Sequence, residues 1–401
     1  MGKTKLFLAS ITALLVFGGA SAFAEEADEV KTAAYHQEKQ TNLVEREWPD
    51  IVARFVVFDS GYTFEYPDAV RGIYVTGNTV GVQRFDELIE FLDTTALNSM
   101  VIDIKEDHGW LTYRPDEDSP YYEISQNFIP DTEAMMSRLE EHEIYPIARV
   151  VVFKDSVLAE KRPDLSFLEN GEVWKNNRNE AFVNPFLKEV WDYNIDIAIK
   201  AAEMGFQEIQ FDYVRFPEGF ERRDDILEYD VGPYTDGDDN VQKRVDAVTD
   251  FVAYAREQLE PYDVDVSVDI FGYAATISEA PGIGQNFSRI SDNVDVISSM
   301  IYPSHWTPYF GIDKPDLYPY ELVDEYAKVE NEVLGALETP PVSRPWIQDF
   351  TASWLGPGNY MTYGVDEVEA QIRALYDNDI YEFLLWNANN RYTRGVNYLE
   401  P

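Results

Sequence analysis

Two strand-like segments of this chain end in acids that could do chemistry. In Glu208–Pro217, EIQFDYVRFP, an apolar, β-prone run closes on Asp212, Arg215 and a proline. Period-two alternation puts Gln210 and Asp212 on one face, with Phe211 and Tyr213 on the other. In Val266–Tyr273, VSVDIFGY, Ser267 and Asp269 alternate with Val266, Val268 and Ile270 and so also point together. Two carboxyl groups at the mouth of a barrel are what cleavage of a glycosidic bond requires. They stand about 5 Å apart in the retaining arrangement and about 6.5–9.5 Å apart in the inverting one. Arg215, close in sequence, is expected to lower the pKa of Asp212 and hold it ionised. Asp349 ends RPWIQDF (Arg344–Phe350) and is a second candidate for the partner acid. It falls off the inward parity set by Trp346 and Gln348 unless the strand end bends.

Around these acids a positioning shell can be read. Asp103 and Lys105 alternate with Ile102 and Ile104, and Lys105 is expected to reach substrate with Arg149 and Arg215. Tyr302, His305 and Trp306 fall together in MIYPSHW, while Trp386 ends a late strand-like run and Tyr74 an early one. Sugars offer apolar C–H faces and polar edges, so aromatic walls with polar tips suit them. Asp236–Asn240, DGDDN, is oxygen-rich, but it lacks the twelve-residue calcium-loop pattern and reads as a solvated acidic loop. Neither a G-x-S-x-G elbow nor a dinucleotide fingerprint after a strand is present. With no cysteine there are no disulfides and no thiolate metal ligands. No cofactor and no metal are expected.

The elements that must hold these residues follow a regular order. Strands are predicted at Arg71–Val75, Ser99–Lys105, Tyr145–Phe153, Glu208–Phe216, Asp265–Gly272, Val294–Tyr302, Pro345–Phe350 and Glu382–Asn387. Helices are predicted at Phe85–Leu92, Asp131–Glu141, Phe186–Met204, Val241–Leu259, Tyr320–Glu332 and Val365–Tyr376, with Gly205 as the stop of the third. Eight such units, with no glycine-rich phosphate loop after the first strand, predict an α/β chain folded as a (β/α)₈ TIM barrel. Three long loops, His108–Pro130, Lys154–Pro185 and Pro217–Asn240, would all emerge at the C-terminal face. The barrel is expected to be one domain over residues 67–401, preceded by a tail and extended arm over 25–66 that includes a strand-like Ile51–Phe58.

Residues 1–24 read as a secretory leader: Lys3 and Lys5, then apolar Leu6–Phe17, then Ala22-Phe23-Ala24. The mature chain is therefore expected to be secreted or extracytoplasmic, with no membrane insertion after cleavage. Its 74 acids against 32 basic residues give a formal net charge of −42, a field that repels nucleic acid. The 57 aromatic residues (8 Trp, 26 Tyr and 23 Phe) are many for an acidic chain, enough to fill a core and also to line a groove.

The chain resembles a bacterial family of secreted or anchored proteins classed with the glycoside hydrolases and once treated as a domain of unknown function. The likeness runs from about Val70 to Tyr398. It rests on RGIYVTG (Arg71–Gly77), NSMVIDIKED (Asn98–Asp107) with Gly109, YPIARVVVFKD (Tyr145–Asp155), FDYVRFP (Phe211–Pro217), YPSHW (Tyr302–Trp306), RPWIQDF (Arg344–Phe350) and FLLWNANN (Phe383–Asn390). The resemblance implies a TIM barrel distantly similar to α-amylase-type hydrolases, with Asp212 as the first choice of catalytic acid. The expectation is hydrolysis of an extracellular poly- or oligosaccharide by Asp212 with Asp269 or Asp349. The alternative is a catalytically inert barrel that binds glycans of the cell envelope or matrix. A metal-dependent deacetylase or esterase would have to draw its ligands from His108, His142 and His305.

Overall fold

The computed structural model describes residues 58–399. The predicted leader, and Ile51–Phe58 apart from Phe58, lie outside the described residues. Eight parallel strands are laid down in chain order: β1 (Arg71–Val75), β2 (Ser99–Lys105), β3 (Tyr145–Val151), β4 (Glu208–Asp212), β5 (Asp265–Phe271), β6 (Val296–Met300), β7 (Trp346–Gln348) and β8 (Phe383–Trp386). Each pairs with its sequence neighbour, and the ring closes at β1, where Ile73 pairs with Met100 of β2 on one side and Leu385 of β8 on the other. The fold is a (β/α)₈ barrel, as the alternation of strand and helix periods predicts.

The helices α1 (Arg84–Asp93), α2 (Thr132–Glu141), α3 (Lys188–Glu203), α4 (Asn240–Leu259), α5 (Phe287–Ser291), α6 (Pro319–Leu334) and α7 (Val365–Tyr376) pack outside. Their starts are chemically marked. Asp131 caps α2 by accepting from the Ala134 amide, and Asp239 caps α4 by accepting from the Val241 and Gln242 amides. The acidic Asp236–Asn240 loop thus has a helix-capping task. The five residues of α5 are too few to show a helical period, and the sequence reading passes over them.

Two hydrophobic layers form. The larger lies between strands and helices. The smaller fills the lumen with Val70, Tyr74, Val101, Tyr145, Ile147, Tyr302, Trp346 and Leu384. Beneath it, residues 58–66 cross the N-terminal end: Thr63 donates its amide to Glu140 and Tyr66 its hydroxyl to Glu382.

Two local departures from regular strands position the functional face. Strand β4 stops at Asp212, four residues before its predicted end, because Tyr213 takes a left-handed φ of 53°. That conformation costs a bulky residue about 1–3 kcal/mol and breaks the period-two alternation that would have carried on to Arg215. In β2 the register slips: Asp103 pairs with Arg149 but Lys105 with Val150, so Ile104 is an extra residue and Lys105 turns away from the lumen.

The long loops are built structures. Leu111–Tyr113 pairs antiparallel to β2, and Ser125–Ile129 pairs alongside it. The loops after β3 and β4 join through a Leu168–Glu228 bridge, over which Phe167, Phe216, Phe220 and Tyr229 interlock at 4.7–6.2 Å.

Candidate active site

At the C-terminal mouth of the barrel lies a cleft of about 900 Å³ whose floor carries acids from adjacent strands. Arg149, on β3 and 1% exposed, organises them. Its Nε and Nη2 donate to Asp212 Oδ2 at 3.0 and 2.6 Å, its Nη1 to Asp103 Oδ1 at 2.7 Å, and its Nη2 also to Asp107 Oδ1 at 2.7 Å. The other oxygen of Asp212 accepts from the Tyr213 amide at 2.6 Å, a contact that the left-handed turn at Tyr213 provides. Around one guanidinium the acids diverge. Burial pushes Asp103 up to about 6 against the pull of Arg149 and of the Tyr74 hydroxyl that donates to it. For Asp107 burial acts the same way, but Arg149 and Lys154 outweigh it and hold the carboxyl at about 2.

Asp269 stands on β5, one register step beyond the Phe211–Val268 pair and so beside Asp212. Its side chain is buried and its Oδ1 accepts from the Trp346 indole at 2.7 Å. Burial first, then the charge of Asp212, drive its pKa well above the ordinary carboxylate range, and Arg149 offsets this only in part. The floor therefore sets Asp212, ion-paired to Arg149, beside Asp269, whose burial and acidic neighbour favour its protonated form.

The walls are aromatic and mixed in charge. Tyr302, His305, Trp306, Trp346 and Trp386, from strands β6 to β8 and their loops, line the cleft together with Trp174, Phe182, Tyr213, Phe271 and Tyr273. Lys154 reaches Asp107 at 3.3 Å, Glu180 at 3.1 Å and the Tyr213 hydroxyl at 3.1 Å, which ties the β2, β3 and β4 loops together. Desolvation at the rim, helped by Arg178, lowers the pKa of His305 and favours its neutral ring. Five acids and three arginines line the cleft, a balance only modestly more even than the 74 acids to 32 basic residues of the whole chain.

Of the residues singled out from sequence, the cleft brings together Asp212, Asp269, Arg149, Arg215, Tyr302, His305, Trp306 and Trp386. Others go elsewhere. Lys105 is fully buried behind β2, paired with Asp155 at 2.7 Å and donating to Asn194 and to the Val151 carbonyl. The register slip at Ile104 is what sends it there, so a substrate contact for Lys105 is corrected. Both carboxylate oxygens of Asp349 are taken by Thr393, its amide at 2.9 Å and its hydroxyl at 2.6 Å, and Asp349 is not among the cleft-lining residues. Tyr74 does not line the cleft either: it stacks on Trp386 at 4.1 Å and supports Asp103. Arg215 does line it, yet lies over Tyr213 and Phe271 at 4.8 and 4.7 Å, and the cation that grips Asp212 is Arg149.

Sequence reasoning missed Asp107, Lys154 and Glu180. They sit on loops beyond the strands, where periodicity gives no direction. One signal was present for the first. Gly109, two residues on, has φ 106°, and a Cβ there would come within 2.1 Å of Asp155, so the loop carrying Asp107 is pressed onto the β3 loop. Among the described residues no three His, Asp or Glu side chains are placed to share a metal ion, and His142 pairs with Asp93 at the end of α2. No described helix is long and apolar enough to cross a membrane.

A family model described as "Putative glycosyl hydrolase domain" matches residues 72–392. No curated protein matches the chain. Among solved structures, a hypothetical protein from Ruminiclostridium thermocellum is 33% identical, with 49% of this chain and 96% of that one covered at a TM-score of 0.42. The glycoside hydrolase domain of PgaB (BpsB) from Bordetella bronchiseptica is 14% identical, with 80% of this chain and 95% of that one covered at a TM-score of 0.56. An alpha-amylase from Lactobacillus plantarum is 12% identical, with 80% and 71% covered at 0.49. The Bordetella domain shares the barrel fold.

Proposed function

The chain belongs to this glycosyl-hydrolase-like family, and from that premise we propose that it hydrolyses glycosidic bonds of an extracytoplasmic poly- or oligosaccharide with Asp212 and Asp269. The observation that carries the reading is the contrast between the two acids. Asp269 is buried beside the charge of Asp212, which raises its pKa and favours the protonated form, while Asp212 is ion-paired to Arg149 at 2.6 Å. Asp269 gives its proton to the glycosidic oxygen. Asp212 attacks the anomeric carbon, and Arg149 keeps it aimed. Once the leaving sugar has departed, Asp269 takes a proton from the incoming water, whose oxygen attacks the anomeric carbon and breaks its bond to Asp212, releasing the second sugar and restoring both acids. Asp107, held at about 2, stays anionic and faces the positive charge that develops on the reacting sugar ring. The aromatic walls exclude water and seat the sugar's C–H faces.

Adjacent parallel strands stand about 4.8 Å apart, which suits the ~5 Å separation of the retaining arrangement. The test is product release from a panel of α- and β-linked glycans by wild type, Asp212→Asn and Asp269→Asn, with the first-formed anomer followed by NMR. Retained configuration, and loss of product in both variants, is the expected result. Inversion would assign Asp212 as a general base. Product formation unchanged in either variant removes that residue from the mechanism. Glycan binding without product from any substrate would favour the inert, glycan-binding barrel.

A further inference from the structure

From the acids the cleft climbs along a file of rings that continues past its rim. Trp386 packs on Tyr302 at 6.3 Å, Tyr302 on His305 at 5.2 Å, and His305 on Trp354 at 6.3 Å. The first three line the cleft, whereas Trp354 stands beyond it in the loop after β7 and is 64% exposed. Although exposed, this indole is held in place. Phe350 stacks on it at 5.8 Å and 21°, and Phe350 itself rests on the lumen cluster. The loop is pinned as well: Lys314 Nζ donates to the Gly358 carbonyl at 2.8 Å. The two carboxylate oxygens of Asp316 accept from Gln348 Nε2 at 3.0 Å and from the Met361 amide at 3.2 Å.

With Phe350 stacked on it and His305 packed against it, the indole still leaves most of its surface in solvent. Leu355, the next residue, is half-buried, and Gly356, Pro357, Gly358 and Asn359 after it are small or polar. Trp354 is thus a solitary plate, not part of the contiguous apolar patch of several hundred Å² that marks a protein partner. A pyranose ring fits such a plate, with its C–H face on the indole and its hydroxyls in water.

We propose that Trp354 is a stacking subsite for a sugar residue of the same glycan whose reacting bond lies over Asp212 and Asp269. The substrate class that follows is a chain of several sugars laid across the cleft and its rim, rather than a mono- or disaccharide. This extends the hydrolase reading, but stacking at Trp354 is measurable without turnover.

The experiment titrates the full chain and its Trp354→Ala variant with ladders of neutral oligosaccharides. The probes are β-1,4-linked N-acetylglucosamine, β-1,4-linked glucose and α-1,4-linked glucose, from disaccharide to octasaccharide. Affinity is read by calorimetry and turnover separately. The expected result is wild-type affinity that strengthens with length in at least one series. Trp354→Ala removes that increment, about tenfold for the long members, leaves the disaccharide unchanged, and is rescued by Trp354→Phe. Equal loss at every length, no loss, or no length dependence in any series overturns the proposal. So does a dimer in sedimentation that Trp354→Ala dissociates. Length-dependent binding that needs Trp354, with no hydrolysis by wild type, would sink the hydrolase reading and leave the subsite standing. Hydrolysis that Trp354→Ala leaves intact at every length does the reverse.

Discussion

At the N-terminal end of the barrel Arg344 donates to Glu382 at 2.7 Å, to both oxygens of Glu208 at 2.8 and 2.7 Å and to the Tyr66 hydroxyl at 2.8 Å, with arginine and both glutamates fully buried. At the C-terminal end Arg149 likewise sits among acids, but three of them, Asp103, Asp107 and Asp212, with Asp269 as a fourth close by. One end is closed and its hydrogen bonds are matched. The other sets four acids against two cations, Arg149 and Lys154, and it opens on a cleft, with the Asp107 side chain 46% exposed. The same chemistry of arginine and carboxylate is scaffolding where it is saturated, and becomes reactive equipment where an acid is left over beside solvent.

The largest expected effect tests the open end. Asp212→Asn and Asp269→Asn should each cut turnover by about a hundredfold or more, the scale of a lost proton-transfer group, with the thermal midpoint little changed. A variant that keeps most of its activity on a true substrate breaks the contrast at its active side. The closed end should respond in the opposite currency. Arg344→Met strands Glu208 and Glu382 without a cation and should destabilise by about 3–5 kcal/mol in denaturant unfolding. Combining it with Glu208→Gln and Glu382→Gln should recover more than half of that loss. Arg149→Met should cost less stability than Arg344→Met, because water reaches Asp107, while abolishing turnover. Equal stability losses at both ends would remove the distinction.

A finer expectation concerns pH. The raised pKa of Asp269, caused first by burial and then by Asp212, places loss of its proton on the alkaline side. Activity should fall as pH rises through that value. Whatever residual activity Asp269→Asn retains should lack this alkaline limb. A limb that persists in the variant would assign it to another group.

What the sequence revealed, and what it hid, follows the same division between regular and irregular backbone. The barrel was legible because each strand is a short apolar run ended by a polar or proline signal, and each long helix shows its own period. Ser99–Lys105 and Arg71–Val75 are found at their predicted bounds. The inward aim of Asp212 and Asp269 was legible for the same reason: both fall on strands that stay regular up to them. Lys105 was misread because the slip at Ile104 belongs to the pairing of β2 with β3, and no local pattern announces it. Arg215 is expected in the role of Arg149 because it is close to Asp212 in sequence, whereas the cation that pairs with Asp212 comes from the neighbouring strand β3, which no local pattern reveals. Asp107 and Lys154 lie beyond strand ends, where direction is set by contacts between loops.

The smallest prediction asks what a buried acid does when it has no arginine at all. Glu330, on α6 and fully buried, accepts from Ser299 at 2.7 Å and from Ser343 at 2.5 Å. Burial raises its pKa above the ordinary value, and the serine hydrogen bonds offset this only in part. A group whose pKa is higher folded than unfolded binds its proton more tightly in the fold. Its contribution is therefore complete below the unfolded value, about 4.3, and is lost as pH rises through the folded one. Wild type should thus lose stability from this site on the alkaline side. Glu330→Gln, which cannot ionise, should be more stable than wild type at pH 9 and equal or slightly weaker at pH 4. If instead the variant is weaker at both, Glu330 is held as an anion by its two serines. A buried acid in this barrel would then not need Arg149 or Arg344 to remain charged.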